Sequence, residues 1–349
     1  MIRSSNAKTR VVIADDSLIA REMLSTILSS DPDIEVVGLA KTGEEAVDMV
    51  ERLRPDLVTM DIHMPKMNGL EATERIMAFH PTPILVVSSS VYGEGMGLAF
   101  DALNLGALEV IKKPEPRDWA DLERIGKDVL RKVKILSRVK VITHIRGRRD
   151  RRGAIEPATP AERTKRSIVA IGSSTGGPSA LLSVFSGLPG DLPVPVLVAQ
   201  HIADGFVPGL VNWLNAGSRM KVVVAEAGQL PEPGVVYIAP TGTNMVLEGK
   251  RIGFREPEKG QLYIPSADTL FDSVARSYGK RAIGVILTGM GADGAKGMKR
   301  MHDAGAITIA QDEETCTVFG MPKAAIDVGG VDRIMALPAI GVAVADLVG

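Results

Sequence analysis

The sequence has a single cysteine, Cys316, so no internal disulfide can form. A chain this poor in thiols fits a reducing compartment, and Cys316 reads as a small, semi-buried filler, not a nucleophile. Net charge is nearly absent: 41 Lys and Arg against 42 Asp and Glu leave a formal −1 at pH 7. No global field therefore draws the chain to nucleic acid or anionic lipid, and such a partner would need a local patch. The opening MIRSSNAKTR lacks the apolar core of a secretory signal. Nowhere do the roughly 18 uninterrupted apolar residues of a membrane span occur. These absences point to a cytoplasmic protein without membrane insertion.

What is present is a globular composition, 45% hydrophobic and 24% charged over 349 residues. At about 100–200 residues per domain, that length predicts two domains. Residues 8–128 alternate short apolar strands (RVVIADD, IEVVGLA, PDLVTMD, PILVVSSS, LEVIKKP) with helix-compatible stretches around 18–28, 44–52, 69–77 and 96–105 and from Trp119 onward. This is the pattern of a (βα)5 parallel sheet covered by helices on both faces. Residues 129–165 read as a helical extension and a basic flexible linker: Arg146, Arg148, Arg149, Arg151 and Arg152 face only Asp150, and EPATPAE follows. From 166 to 349 a second α/β series runs through SIVAIGSS, VPVLVAQH, KVVVAEAG, GVVYIAP, AIGVILTG and AITIAQD. It predicts a doubly wound, mostly parallel sheet. MVLEGKRIGFRE, with Gly249-Lys250 at its centre, predicts a hairpin added to that sheet. No repeat links the two halves.

In a parallel sheet, ligands gather at the carboxyl ends of strands. Asp15 and Asp16 follow the first strand and Asp61 the third, with Ser88 after the fourth and Lys113-Pro114 after the fifth. Single acids at such places are usually caps or turn residues. Three converging carboxylates repel one another and are best explained by a hard divalent cation such as Mg²⁺. Together these residues resemble the receiver domains of two-component response regulators. The resemblance implies that Asp61 accepts a phosphoryl group from a histidine kinase and that Asp15 and Asp16 help hold Mg²⁺. It implies further that Lys113 and Ser88 contact the phosphoryl oxygens, that Lys113-Pro114 is a cis bond, and that His63 supplies a backbone carbonyl to the metal. The His63 side chain is then surplus, a surface residue. Val110 stands where many receivers carry an aromatic switch residue, so the path of the signal is not carried over.

In the second half, Gly172-Ser173-Ser174-Thr175-Gly176 satisfies G-x-S-x-G between a strand and a helix, the setting of a nucleophile elbow. Ser174 alone has glycines two before and two after. A phosphate cradle is the competing reading, but neither G-K-[ST] nor G-x-G-x-x-G is present. A serine hydroxyl needs a base. Of the five histidines, His63 and His80 lie in the first half, His144 in the linker, and His302 in a helical pattern as a solvated residue. His201, at the end of VPVLVAQ, remains. Asp293 in LTGMGADGAKG is the candidate to orient it, although it would also suit a helix N-cap.

IGSSTGG, AQHIADGF, LTGMGADGA and FGMPKAA together resemble the chemotaxis methylesterase (CheB) family, over nearly the whole chain and in the family's domain order. The resemblance implies a Ser174–His201–Asp293 triad and an oxyanion hole from the backbone N–H groups of Met290 and Thr175. It also implies hydrolysis of glutamyl methyl esters and deamidation of glutamines on chemoreceptors, with no cofactor in the hydrolase half. The unphosphorylated receiver is expected to restrain access to Ser174. Ser173 stands where alanine is common, a small change that leaves the elbow intact. The alternatives are a response regulator with a nucleic-acid-binding output, which the basic stretch suggests but the strand-rich second half does not, and a catalytically silent scaffold.

Overall fold

The computed structural model describes residues 7–89, 95–116, 119–141 and 165–349. The chain divides into two compact units, Met1–Arg148 and Arg149–Gly349. The basic stretch from Arg146 to Arg152 lies outside the described residues.

The first unit is a five-stranded parallel sheet of order β2-β1-β3-β4-β5. Its strands are β1 (Thr9–Ala14), β2 (Ile34–Ala40), β3 (Leu57–Met60), β4 (Ile84–Ser88) and β5 (Glu109–Lys112). Helices α1 (Leu18–Ser29), α2 (Gly43–Leu53), α3 (Gly69–Phe79), α4 (Gly95–Asn104) and α5 (Trp119–Leu136) connect or follow them. Strands β3 and β4 are buried at every residue, which is why they read as unbroken apolar runs. The helices begin where a short polar side chain satisfies free N–H groups: Ser17, Thr42 and Asn68 accept from the backbones of Ala20, Glu45 and Glu71. One core cluster joins Val11, Ile13, Leu57, Leu85 and Ile111 of the sheet to Leu24, Leu28, Val129 and Val133 of α1 and α5. The Lys113-Pro114 bond is trans, contrary to what the receiver resemblance implies.

The second unit is built on a seven-stranded sheet, order β14-β13-β12-β6-β7-β9-β8, in which every pairing is parallel. The strands are β6 (Ile168–Ser173), β7 (Val196–Gln200), β8 (Lys221–Val224), β9 (Val235–Ile238), β12 (Ala282–Ile286), β13 (Ile307–Gln311) and β14 (Arg333–Met335). The three-residue β14 has too short an apolar run to be seen in the sequence. The predicted hairpin forms, β10 (Asn244–Glu248) against β11 (Arg251–Arg255), but as a separate two-stranded sheet and not an extension of the main one. Met245, Leu247 and Ile252 of the hairpin are buried in one cluster with Leu270, Phe271 and Val274 of α8 (Ala267–Tyr278). That packing satisfies its apolar face, so it has no need of the sheet edge. The remaining helices are α6 (Gly177–Ser186), α7 (Val207–Gly217), α9 (Ala295–Asp303), α10 (Met321–Asp327) and α11 (Leu337–Val348). No described helix is long and apolar enough to cross a membrane.

Both sheets start from an interior strand and reverse direction there. β1 lies between β2 and β3, and β6 lies between β7 and β12. At such a switch point the connections leave in opposite directions and open a crevice at the carboxyl end. Asp15 and Asp61 stand at the first crevice; Ser174, His201 and Asp293 follow the three strands that border the second.

Gly69 shows how tightly the first crevice is closed. A Cβ built there would lie 2.0 Å from the carbonyl oxygen of Asp61, a backbone atom that cannot swing aside. Gly69→Ala is therefore expected to cost the first unit at least about 2 kcal/mol, the scale of overpacking without room to relax. Urea unfolding of the first unit would read this as an earlier midpoint; an unchanged midpoint would contradict the packing described.

Candidate functional site

Strand β6 delivers Ser174 into a turn that is knit from three directions. The Ser174 N–H donates to the carbonyl of Thr288 at 3.0 Å, its carbonyl accepts from Gly177 N at 2.7 Å, and Gln200 Nε2 donates to the same carbonyl at 2.9 Å. Gly176 follows at φ 74, a left-handed conformation that favours glycine, and caps α6. The second glycine of this turn is needed for space: a Cβ at Gly177 would sit 2.0 Å from Gln200 Oε1. Gly289, across the crevice, is required for the same reason, since a Cβ there would fall 2.8 Å from Ser174 Cβ. The turn carrying Met290 can thus lie against the serine. Phe319-Gly320-Met321 pins that turn: the N–H groups of Gly320 and Met321 both donate to Gly289 O, at 3.1 and 2.9 Å. The backbone N–H groups of Thr175 and Met290 make no hydrogen bond with described residues.

Ser173 and Gln200 are register partners on β6 and β7, so the next residues, Ser174 and His201, leave adjacent strands side by side. His201 Nε2 lies 2.8 Å from Asp293 Oδ2. Its Nδ1 is buried and makes no hydrogen bond with described residues, so Nδ1 is the nitrogen left for the serine. No hydrogen bond joins Ser174 Oγ to His201; hydrogen bonds between a nucleophile and its base are often long before substrate binds. Tyr263 covers one face of the imidazole, with ring centroids 4.8 Å apart and planes within 11° of parallel.

Asp293 is held with unusual completeness. Besides His201 it accepts from Ser266 Oγ at 2.9 Å, Ala267 N at 2.7 Å and Asp268 N at 3.1 Å. These are the N-cap and first residues of α8, so the carboxylate sits on a helix N-terminus, where free N–H groups and the helix dipole favour negative charge. Burial alone would raise its pKa, but the bond to His201 and the Ala267 and Asp268 N–H groups outweigh it and hold Asp293 below the usual carboxylate range. It stays ionised throughout the neutral range. Asp268 runs the other way, raised by burial and by the Asp293 charge despite its bond from Gly297 N. Asp293 does not cap α9, which begins two residues later at Ala295 with Gly294 as its N-cap and no side-chain cap.

In the first unit, ligand atoms of Asp15, Asp16 and Asp61 all lie within 4.8 Å of one another. Asp15 and Asp61 are buried and Asp16 is exposed. Lys113 Nζ bridges the buried pair, 2.8 Å from Asp15 and 3.0 Å from Asp61. Burial raises the Asp61 pKa, and Asp15 adds to the rise while Lys113 opposes it. Burial alone would lower the Lys113 pKa, but its two carboxylates raise it overall. The directions agree: the ammonium gains two partners, whereas two carboxylates must share one cation. Asp61 Oδ1 is buried without a well-formed hydrogen bond. The three converging carboxylates are an oxygen donor set that fits a hard divalent ion. Arg21, not singled out from sequence, closes the floor by donating to the carbonyls of Asp15 and Asp16 at 2.6 and 2.9 Å. Ser88 is fully buried at the end of β4, its carbonyl accepting from Lys113 N; Val110 is buried in β5; the His63 side chain is exposed.

Residues 169–344 match the CheB methylesterase family, and residues 11–121 match the response regulator receiver domain family. The chain belongs to the CheB methylesterase family. Among its relatives, a protein-glutamate methylesterase/protein-glutamine glutaminase of Anaeromyxobacter dehalogenans is 45% identical over 97% of this chain and 96% of its own length. One of the same designation from Syntrophus aciditrophicus is 46% identical over 93% of this chain and 94% of its own. The solved CheB methylesterase catalytic domain of Thermotoga maritima is 38% identical, covers 53% of this chain and 100% of its own, and has a TM-score of 0.49. Membership removes the nucleic-acid-binding output as an alternative.

Several residues of this CheB-family site were invisible in the sequence. Gln200, Ser266 and Tyr263 carry no motif of their own, although Ser266 precedes a helical run as an N-cap would. The buried Ser173 hydroxyl, which carried no signal in the sequence, donates to Gln200 Oε1 at 2.6 Å. His302 is not simply solvated but lies 2.9 Å from Asp332. Cys316 behaves as the filler expected, its thiol pushed up to about 12 by burial and the nearby Asp312. Ser173→Ala would leave Gln200 Oε1 without its donor, and is expected to cost about 1–2 kcal/mol of stability while leaving Ser174 in place. Unfolding in urea checks this; a variant as stable as the parent would mean that the bond contributes nothing.

Proposed function

We propose that the second unit hydrolyses glutamyl methyl esters of chemoreceptors by a Ser174–His201–Asp293 triad, and deamidates receptor glutamines by the same route. The observation that carries this reading is the seating of Asp293 on the α8 N-terminus with His201 Nε2 at 2.8 Å, beside a serine presented on a strand-to-helix turn. An ionised, fully bonded acid holds the imidazole with its proton on Nε2 and leaves Nδ1 basic. His201 Nδ1 takes the Ser174 hydroxyl proton as Oγ bonds to the ester carbonyl carbon. The N–H groups of Thr175 and Met290 receive the developing oxyanion, each worth on the order of 3 kcal/mol in comparable hydrolases. The carbon–oxygen bond to methoxide breaks, and methanol departs with the proton from His201. Water then repeats the sequence on the acyl-enzyme and frees Ser174. A glutamine follows the same steps with ammonia as the leaving group.

The first unit is read as the regulatory half in a cytoplasmic two-component pathway. Asp61 accepts a phosphoryl group from a histidine kinase, and Lys113 and Ser88 contact its oxygens. Asp15, Asp16, Asp61 and the His63 carbonyl would hold Mg²⁺, which when bound neutralises charge between the carboxylates and an incoming phosphodonor. The boundaries that suit this division are 8–128 for the receiver, 129–165 for the connecting segment and 166–349 for the hydrolase. Phosphorylation can alter turnover only if the two receiver states interact differently with the hydrolase, and a difference of about 1.4 kcal/mol changes their ratio tenfold.

Methanol release from methylated receptor tests the hydrolase. Ser174→Ala is expected to abolish it, His201→Ala to lower it by about 10⁶-fold, and Asp293→Asn by about 10⁴-fold, leaving a residual rate above that of Ser174→Ala. Full activity in Ser174→Ala would refute the assignment.

Phosphate uptake by the full chain from a small phosphodonor is expected only with Mg²⁺, and not in Asp61→Asn. Deleting residues 1–155 should make methanol release insensitive to phosphodonor. Mass spectrometry of the intact protein and initial rates check these in turn; labelling undiminished by excess EDTA would contradict the metal-holding role of the acids.

A further inference from the structure

One hydrogen bond, from Nε2 to Asp293 at 2.8 Å, fixes one edge of the His201 ring. It leaves the ring free to tilt about the line of that bond, and a tilt moves Nδ1 away from Ser174. Tyr263 occupies the space into which one face would tilt, at 4.8 Å between centroids and 11° between planes. The tyrosine is itself anchored. Its carbonyl accepts from Gln261 Nε2 at 2.7 Å, and the Gln261 amide exchanges two 3.0 Å bonds with the side-chain amide of Asn244, a buried residue that begins β10. Asn244 Oδ1 also accepts from Ser266 N at 2.8 Å, so one side chain ties the residues on both sides of Tyr263. On its far side the phenol reaches the turn that carries Met290: a Cβ at Gly291 would lie 2.3 Å from Tyr263 Oη. The ring is therefore held between the imidazole and that turn by the separate hairpin, an element that the triad does not otherwise use.

We infer that Tyr263 is a positioning residue for His201, its ring face setting the plane of the imidazole so that Nδ1 stays directed at Ser174 through the proton transfers. The inference rests on the triad reading above. A flat, polarisable face suits both charge states of the imidazole, since an aromatic ring packs against the neutral form and attracts the protonated one. The hydroxyl is not required for this, so phenylalanine should serve equally.

The test compares Tyr263→Phe, Tyr263→Leu and Tyr263→Ala in the full chain, first checked for unaltered thermal unfolding. Two rates are read: methanol release from methylated receptor, and inactivation by a small serine-directed fluorophosphonate, which needs no receptor contact. Tyr263→Phe should stay within about twofold of the parent. Leu fills volume without a π face, and Leu and Ala should each lose about ten- to a hundredfold in kcat and in inactivation rate, the scale of a misplaced catalytic group, with KM nearly constant. Tyr263→Leu matching the parent would overturn the inference. So would Tyr263→Phe failing as badly as Leu, which would assign the work to the hydroxyl, or a raised KM at constant kcat, which would make Tyr263 a substrate contact. If the parent is not labelled at Ser174, the triad reading falls and this inference with it; labelling of the parent with no effect at Tyr263 sinks the inference alone.

Discussion

The second unit turns on one buried carboxylate. Asp293 has no net gain from leaving water unless its oxygens are all answered, and the fold answers them with an imidazole, a serine hydroxyl and two backbone N–H groups. The hydroxyl and the two N–H groups belong to the start of α8, so the helix must point its N-terminus at the crevice. The α8 flank in turn supplies the apolar surface that buries the β10-β11 hairpin, and the hairpin anchors the segment bearing Tyr263. Removing the Asp293 charge would therefore unsettle more than the histidine: it would leave the helix terminus, the cap residue Ser266 and the ring stack without their common anchor.

The first unit is governed by the opposite condition. Asp15 and Asp61 are buried beside each other with one ammonium between them, and Asp61 Oδ1 remains without a well-formed partner. A charge cluster left incomplete in this way is poised to take a cation and an anion together. Both sites sit where a parallel sheet reverses its connections. The geometry explains why both side-chain clusters occupy the same location in their sheets.

Most of this arrangement was legible because the candidate residues follow strands, and strands show as compact apolar runs. Asp15, Asp61 and Lys113 could be placed on one crevice by counting strands, and Ser174 by its flanking glycines. His201 emerged from where the five histidines fall. What stayed hidden acts through contacts between segments distant in sequence. Tyr263 meets His201 from 62 positions away, and Gln200 and Ser173 meet across two strands. The hairpin's independence was hidden for the same reason, since alternating residues do not say whether their apolar face will meet a sheet or a helix. The Lys113-Pro114 bond was expected cis by resemblance alone and is trans, and no feature of the local residues had argued for either form.

The central claim is a covalent intermediate on Ser174. Acid quenching within the first turnovers on a methylated glutamyl substrate, followed by peptide mass spectrometry, measures it directly. The account predicts a glutamyl adduct on Ser174, accumulating before methanol release reaches steady state and lost by hydrolysis once substrate is exhausted. Steady turnover with no adduct on Ser174, or with the adduct on Ser173 or Cys316, would contradict it.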